Sequence, residues 1–291
     1  MPELPEVEVT RRRIEPLLVG RRIAKVRTSR PSYFFLTPPA RLARELEGAA
    51  VRALERRGKY LLAQLDDGRR LLLHLGMTGQ LFGEMASSPR LLSASRRGAL
   101  APEEQRGFKP DRHTHLRLEF DDGGPAVFFR DVRKFGKVRL LGPGESDARL
   151  DKLGVDALAA TGASLFAATR KRTIPIKSLL LDQSAIAGVG NIYADEALFR
   201  AKIRPRRPAG RITRREADAI AAALKRVLLR SIETGGSSIS DYVLPDGSDG
   251  AYQDERQVYA RAGEPCPVCG TPIKRISIAG RSTHFCPHCQ R

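Results

Sequence analysis

Several features are missing from this chain of 291 residues. No apolar run approaches the roughly 18–20 residues of a membrane span, and the opening PELPEVEVTRRR lacks the apolar core of a secretory signal. The expectation is a soluble, cytoplasmic protein with no membrane partner. No G-x-G-x-x-G follows a strand pattern and no Walker-type loop occurs, so no nucleotide or redox cofactor is indicated. There is no internal repeat, no low-complexity tract and no coiled-coil heptad, and a monomer is expected. Acidic charge is in deficit: 33 Asp+Glu stand against 51 Lys+Arg, a net charge of +18. Such an excess suits a protein that grips a polyanion. With no membrane segment, nucleic acid is favoured over anionic lipid. The length accommodates two or three domains and a sizeable core.

Cysteine is absent until Cys266, and then four occur in the pattern Cys266-x2-Cys269-x16-Cys286-x2-Cys289. In a reducing compartment this clustering argues for metal rather than disulfides. The spacing is that of a four-thiolate zinc site, in which each C-x2-C points two sulfurs at one ion. One structural Zn2+ is expected, with no open coordination position and no part in chemistry. His284 and His288 lie close by and could replace a thiolate, but four well-spaced cysteines leave them as bystanders. The intervening TPIKRISI–AG–RSTHF reads as a β-hairpin. Its Lys274, Arg275 and Arg281 either meet phosphate or are solvated charges.

Residues 2–19 read as a helix, with Val7, Ile14, Leu17 and Leu18 on one face and Gly20 as the stop. From 21 to 142 short β-patterned runs follow, among them IAKVRT, YLLAQL–DDG–RRLLLHL, HLRLEF–DDG–GPAVFF and KVRLL. Both DDG turns sit between apolar runs, as hairpins require. The fold class is α+β and multidomain: an N-terminal helix on a two-layer β-sandwich, then a helical region, then the zinc hairpin. Residues 84–112 form a polar excursion and 143–150 a linker. Helices are predicted over 165–172, 176–182, 192–200 and 214–233, the last opened by the capping box Thr213-x-x-Glu216 and closed by Gly235-Gly236. Gly188 and Gly190 let the backbone approach a ligand closely. Asn191 then opens a helix whose N-terminal amides favour phosphate, unless this is simply a tight turn with Asn191 as its N-cap.

The first residues carry a chemical possibility. Once Met1 is trimmed, Pro2 presents its secondary amine as the α-amino group, with an ordinary pKa near ~7.7–8. Such an amine can attack a carbon electrophile, and Glu3 beside it could pass protons. Pro followed by Glu is also an ordinary helix start.

PELPEVE at 2–8, RRGKYLL at 56–62, HLGMTG at 74–79, DVRKFG at 131–136, LLLDQSAIAGVGNIYADEALF at 179–199, GGSSISDYV at 235–243 and GRSTHFCPHCQ at 280–290 run in order along nearly the whole chain. Together they resemble the bacterial formamidopyrimidine-DNA glycosylases of the Fpg/Nei superfamily of base-excision enzymes. PELPEVE favours the Fpg branch. The resemblance implies domains at 1–142 (catalytic helix and sandwich), 151–245 (helix-two-turn-helix, DNA-binding) and 246–291 (lesion-capping loop and zinc finger). Damaged duplex DNA would lie in the cleft, with 8-oxoguanine or a ring-opened purine swung out of the stack. It implies Pro2 as the nucleophile on C1′, Glu3 as the acid on the sugar ring oxygen and Glu6 as support for the same helix end. Lys59 would donate a proton in β-elimination, and Arg281 would serve δ-elimination or position a phosphate. The latter suits a guanidinium better, since it does not release its proton. Met77, Arg133 and Phe135 would fill the void left by the flipped base, although Met77 and Phe135 by themselves read as core. His74, His113, Asn191 and, on a loose local match, Arg172 would contact the DNA backbone.

The chain departs from the family pattern at Val132-Arg133-Lys134-Phe135, where Pro-Arg-Arg-Phe is usual. It also has Tyr259-Ala260-Arg261 for Tyr-Gly-Arg, and Tyr252-Gln253 for Phe-Gln in the lesion-capping loop. The lost proline puts the pose of Arg133, and strictness against an opposite adenine, in question. Two other readings are an endonuclease VIII-like enzyme for oxidised pyrimidines and a non-catalytic zinc protein that binds damaged DNA. A mere binder has no need of Pro2, Glu3, Glu6 and Lys59 together.

Overall fold

A computed structural model describes residues 2–87, 108–238 and 242–291; most of the excursion expected at 84–112 lies outside them. The chain divides into two compact units, Met1–Asp147 with Gly235–Ala251, and Ala148–Thr234 with Tyr252–Arg291. The segment Gly235–Ala251, the first part of which the resemblance assigns to the 151–245 domain, groups with the first unit. Gly235 and Gly236 are left-handed, with φ +82 and +84, and Ser237 N–H then donates to Glu6 Oε1 at 2.9 Å.

In the first unit α1 (Leu4–Leu18) buries Leu4, Val7, Ile14 and Leu18, spaced to put one apolar stripe on the sandwich. One sheet has the order β1-β6-β7-β5, from Ile23–Thr28, Thr114–Phe120, Val127–Asp131 and Gly79–Gly83. The other has the order β2-β3-β4-β8, from Val51–Arg57, Tyr60–Leu65, Arg70–His74 and Lys137–Leu141. All pairings are antiparallel, and both expected DDG hairpins form, joining β3 to β4 and β6 to β7. The inward residues of the two sheets share one apolar core, including Ile23, Leu61, Leu73, Leu116, Phe129 and Val138. One element departs from the β-rich expectation: α2 (Pro39–Leu46) buries Leu42 and Leu46 against the same core. Its sign in the sequence is Pro39 at the first helical position.

The second unit holds α3 (Ala148–Asp151), β9 (Val155–Asp156), α4 (Gly162–Thr169), α5 (Ile176–Leu181), β10 (Ile186–Ala187), α6 (Asn191–Arg200), α7 (Arg214–Glu233), β11 (Lys274–Ile278) and β12 (Arg281–Phe285). α3 starts inside the stretch expected as a linker, and Leu150 is buried there. α4 begins and ends three residues earlier than the apolar pattern suggests. Thr161 caps it reciprocally with Ser164, and Lys171 is left-handed (φ +57), which the helix cannot include. For α7 the capping box is present: Thr213 N–H donates to Glu216 Oε2 at 2.9 Å and Glu216 N–H to Thr213 Oγ1 at 3.3 Å. Among the described residues no helix is long and apolar enough to cross a membrane.

Candidate active site and nucleic-acid interface

The N-terminus of α1 is built around Glu6. Glu3 is the N-cap, and its N–H donates to Glu6 Oε2 at 2.9 Å. Glu6 Oε1 accepts from Ser237 N–H at 2.9 Å, and the Glu6 carbonyl accepts from the Tyr242 hydroxyl at 3.3 Å. One carboxylate therefore holds both Glu3 and the 235–238 segment. A side chain on Gly236 would come within 3.1 Å of Glu6 Oε1, and its φ of +84 is one that other residues rarely adopt, so glycine is favoured there. Burial, and then the Glu6 charge, push the Tyr242 hydroxyl well above its ordinary value, keeping it a donor. Pro2, Glu3 and Glu6 are all buried. Glu6 thus bonds within the same helix end as Glu3, while nothing local to Ser237 and Tyr242 marks their part beyond the GGSSISDYV match.

Lys59 is the second residue of the two-residue turn between β2 and β3, closed by the Arg57–Tyr60 pair. Gly58 has φ +55, the left-handed conformation such turns demand. Arg56 donates from Nη1 to the Gly58 carbonyl at 3.0 Å and from Nε to Glu8 Oε2 at 3.0 Å. Glu8, on α1, also accepts from Arg11 and Arg12. Through Glu8 and Arg56 the turn that carries Lys59 is tied to the helix that carries Pro2 and Glu3. Burial raises the Glu8 pKa, but the bonds from Arg11, Arg12 and Arg56 outweigh it, and the net shift is downward from 4.5. A depressed carboxyl stabilises the fold above its unfolded value and loses that contribution as pH falls through the folded value. Glu8→Gln is therefore expected to cost about 1.5–3 kcal/mol at neutral pH. Its urea midpoint should converge on that of the parent as pH falls below 4.5. Midpoints that stay equally far apart down to the acid limit would show that the loss is one of packing.

His74 ends β4 beside this turn, its ring 4.7 Å from that of Tyr60, and its Nδ1 accepts from Gly76 N–H at 3.2 Å. Next comes the first of two interlocked loops. Gly76 packs so closely on the second loop that an added Cβ would lie 2.5 Å from Gly136 N and Phe135 C. Met77 on the first loop and Phe135 on the second are exposed apolar side chains. The core alternative for both is therefore ruled out in this structure. The Arg133 guanidinium lies 5.5 Å from the Phe135 ring centre. Buried Asp131 organises the second loop: it accepts from the Thr78 hydroxyl, from Arg133 N–H at 3.2 Å and from Gly136 N–H at 2.7 Å. Sequence reasoning passes over Asp131 and Thr78, although both stand inside the matched motifs. His113 is half-buried. Its N–H donates to Asp111 Oδ1 at 3.0 Å, and burial, with Arg130, Arg112 and Lys134, lowers its pKa against the pull of Asp111. It is therefore a neutral hydrogen-bonding group near pH 7, not a cation.

In the second unit Gly190, not Asn191, is the N-cap of α6. The Asn191 amide donates to the Ser282 carbonyl at 3.0 Å, one residue from Arg281. Fully buried Lys177 donates to the same carbonyl at 2.7 Å and pairs with Asp195 at 2.7 Å. Asp195 Oδ2 in turn accepts from His284 N–H at 2.8 Å. Three side chains of α5 and α6 thus clamp β12. Arg281 stands exposed at the head of that strand, after the turn Ala279-Gly280, whose φ values are +47 and +73. Arg172 is exposed in the loop after α4, and its carbonyl accepts from Gly210 N–H at 2.8 Å. Ala260, the position at which the resemblance leads one to expect glycine, is left-handed (φ +60) and lies in a turn. Tyr252 is fully buried, its ring 5.5 Å from that of Tyr193.

The four cysteine sulfurs lie within 4.8 Å of one another, with 3.9 Å between Cys266 and Cys289 and 3.5 Å between Cys269 and Cys286. Zinc–sulfur bonds of ~2.3 Å in a tetrahedron place sulfurs ~3.8 Å apart, so the donor set fits Zn2+. His284 and His288 are outside it.

Comparison with known proteins gives a consistent result. The formamidopyrimidine-DNA glycosylase N-terminal domain matches residues 1–138, the H2TH domain of the same glycosylases matches 153–243, and a zinc finger found in FPG and IleRS matches 263–291. A formamidopyrimidine-DNA glycosylase of Gluconobacter oxydans is 45% identical over the whole of both chains. The Lactococcus lactis FPG (MutM), solved with DNA containing FAPY-dG, is 34% identical, with a TM-score of 0.82, over 99% of this chain and 100% of that one. A MutM structure with carbocyclic 8-oxo-G DNA is likewise 34% identical, with a TM-score of 0.84 and 100% of each chain covered.

Proposed function

This chain belongs to the formamidopyrimidine-DNA glycosylase family, and from that we propose how its residues carry out the reaction. It is a DNA glycosylase with AP lyase activity that acts on 8-oxoguanine and formamidopyrimidine lesions in duplex DNA. It carries one structural Zn2+ on its four-cysteine finger. The observation that carries the residue assignment is the buried start of α1, where Pro2 precedes a capping carboxylate, Glu3, held by a second, Glu6. Before a base can be attacked it must leave the stack, at a cost of a few kcal/mol. Met77, Arg133 and Phe135 offset that cost by filling the vacated space. The Pro2 nitrogen then bonds to C1′ and the glycosidic C–N bond breaks; its electron pair leaves with the base, which takes up the proton that the nitrogen sheds. Glu3 protonates the ring oxygen, the C1′–O4′ bond opens, and a Schiff base remains. Because the amine is secondary, this is an iminium with no N–H proton to lose, and so a standing electron sink. Loss of a C2′ proton pushes electrons toward the iminium and expels the 3′-phosphate, and a second elimination releases the 5′ side. Lys59 supplies a proton in the first elimination. Arg281 holds the phosphate released in the second, and His74, His113, Asn191 and Arg172 contact the strand. The zinc ion only holds the finger. The protein works in the bacterial cytoplasm, at the nucleoid, as a monomer.

Borohydride trapping on a duplex with one 8-oxoguanine opposite cytosine tests this reading. The expected result is a covalent adduct on residue 2, absent when Met1 is retained. An adduct forming only on an oxidised-pyrimidine duplex would indicate the endonuclease VIII-like specificity instead. Tight binding without an adduct on any lesion or abasic site would leave a binder without chemistry.

A further inference from the structure

The loop between β7 and β8, from Val132 to Gly136, contains no proline. Proline would fix one backbone angle of this loop outright. Without it, something else must hold Arg133 if its guanidinium is to meet an orphaned base in one pose. The N–H of Arg133 donates to Asp131 Oδ1 at 3.2 Å and to Thr78 Oγ1 at 3.3 Å. Its carbonyl accepts from the Tyr33 hydroxyl at 2.8 Å, a bond that spans one hundred positions of sequence. Tyr33 comes from the segment ahead of α2, which is pinned along β8: Val138 N–H donates to the Phe34 carbonyl at 3.0 Å and Leu36 N–H to the Val138 carbonyl at 2.8 Å. The Lys137 ammonium lies 4.9 Å from the Tyr33 ring centre. The ring itself is 60% exposed, so the side chain adds little to the core, and its hydroxyl bonds to that carbonyl.

We propose that Tyr33 is a positioning residue for Arg133, and that the restraint its hydroxyl places on this loop sets the choice of opposite base. The inference rests on the reading of Arg133 given under Proposed function. A guanidinium only donates. Cytosine offers it two neighbouring acceptors, O2 and N3. Adenine offers N1 beside an amino group that also donates. A well-placed bidentate contact is worth about 5–150-fold in discrimination, but only while the backbone from which the arginine springs stays put. With Asp131 and Thr78 on its N–H and Tyr33 on its carbonyl, the Arg133 residue is held at both peptide groups. Removing one hydroxyl frees the second of these and leaves the first.

The experiment compares single-turnover excision of 8-oxoguanine opposite cytosine and opposite adenine for the parent, Tyr33→Phe, and Tyr33→Phe combined with Val132→Pro. The expected result for Tyr33→Phe is a fall of about 3–10-fold in the cytosine-to-adenine ratio, within the range one neutral hydrogen bond can supply. Its melting temperature and its cleavage of an abasic site in single-stranded DNA, which has no opposite base, should be unchanged. Adding Val132→Pro should restore the ratio, which a merely destabilised protein would not do. A ratio that Tyr33→Phe leaves unmoved overturns the role of Tyr33, and so does a parent that excises equally opposite both bases. A parent that excises from neither duplex overturns the functional reading itself.

Discussion

Glu3→Gln is expected to slow excision of 8-oxoguanine by about 10²–10⁴-fold, with a much smaller loss on a duplex that already contains an abasic site. The substitution keeps the shape of the side chain and removes its proton. Glu3 is almost fully buried at the cap of α1, and its own N–H remains bonded to Glu6, so the helix end should stay in place. An intact nucleoside has a closed sugar, whose ring oxygen must gain a proton as the C1′–O4′ bond opens. A preformed abasic sugar already interconverts with its open aldehyde in water, and Pro2 can meet that aldehyde without an acid. The split between the two substrates, followed by single-turnover release of base and by strand cleavage, is therefore the signature of an acid acting on the ring. Equal losses on both would reassign Glu3 to holding the helix end.

Loss of zinc should have the second largest effect. Cys286→Ser, or prolonged chelation, is expected to weaken binding to an abasic-site duplex by more than ~100-fold, beyond the ~10–100-fold that outer-shell changes around a metal cost. Cys266 and Cys286 are buried with Phe199, Val258 and Ile273 in the small core of the finger, and a two-stranded hairpin on its own is marginal in water. Metal binding in such a module is folding free energy. Without the ion, β11 and β12 lose the closure of the end opposite the Ala279-Gly280 turn, and Arg281 is no longer presented. The clamp from Asn191, Lys177 and Asp195 to β12 is the competing support. Zinc content, binding and melting measured on one preparation separate the two: full affinity in a zinc-free protein would mean that the clamp alone holds the hairpin. The β-sandwich core of the first unit shares no residue with the finger core, so its hydrogen-exchange protection should persist.

How much of the molecule is legible in its sequence depends on the range of the interactions involved. Each C-x2-C pair, the DDG hairpins, the Thr213–Glu216 box and the Ala279-Gly280 turn are governed by residues within a few positions of one another, and each forms as the pattern predicts. The pattern misses α2 and displaces α4 because short helices take their limits from caps and packing more than from periodicity. Asn191 reads locally as a phosphate contact or a cap. The structure gives the cap to Gly190 and turns the Asn191 amide to Ser282, a partner ninety-one positions away that no local pattern names.

By itself, the sequence determined which groups are available to the proposed reaction and to an ion: a proline that can bear the terminal amine, a carboxylic acid next to it, and four thiolates in metal-binding spacing. These follow from bond connectivity and short loops, which hold in any fold the chain could adopt. Only the tertiary structure decided what holds those groups in place. Glu6 meets Ser237 across 231 positions and Arg133 meets Tyr33 across 100, while Asp131 gathers the amides of its own loop and the hydroxyl of Thr78. A buried or half-buried polar group needs a partner, but many residues could serve. Which one does is chosen by the path of the chain as its cores close.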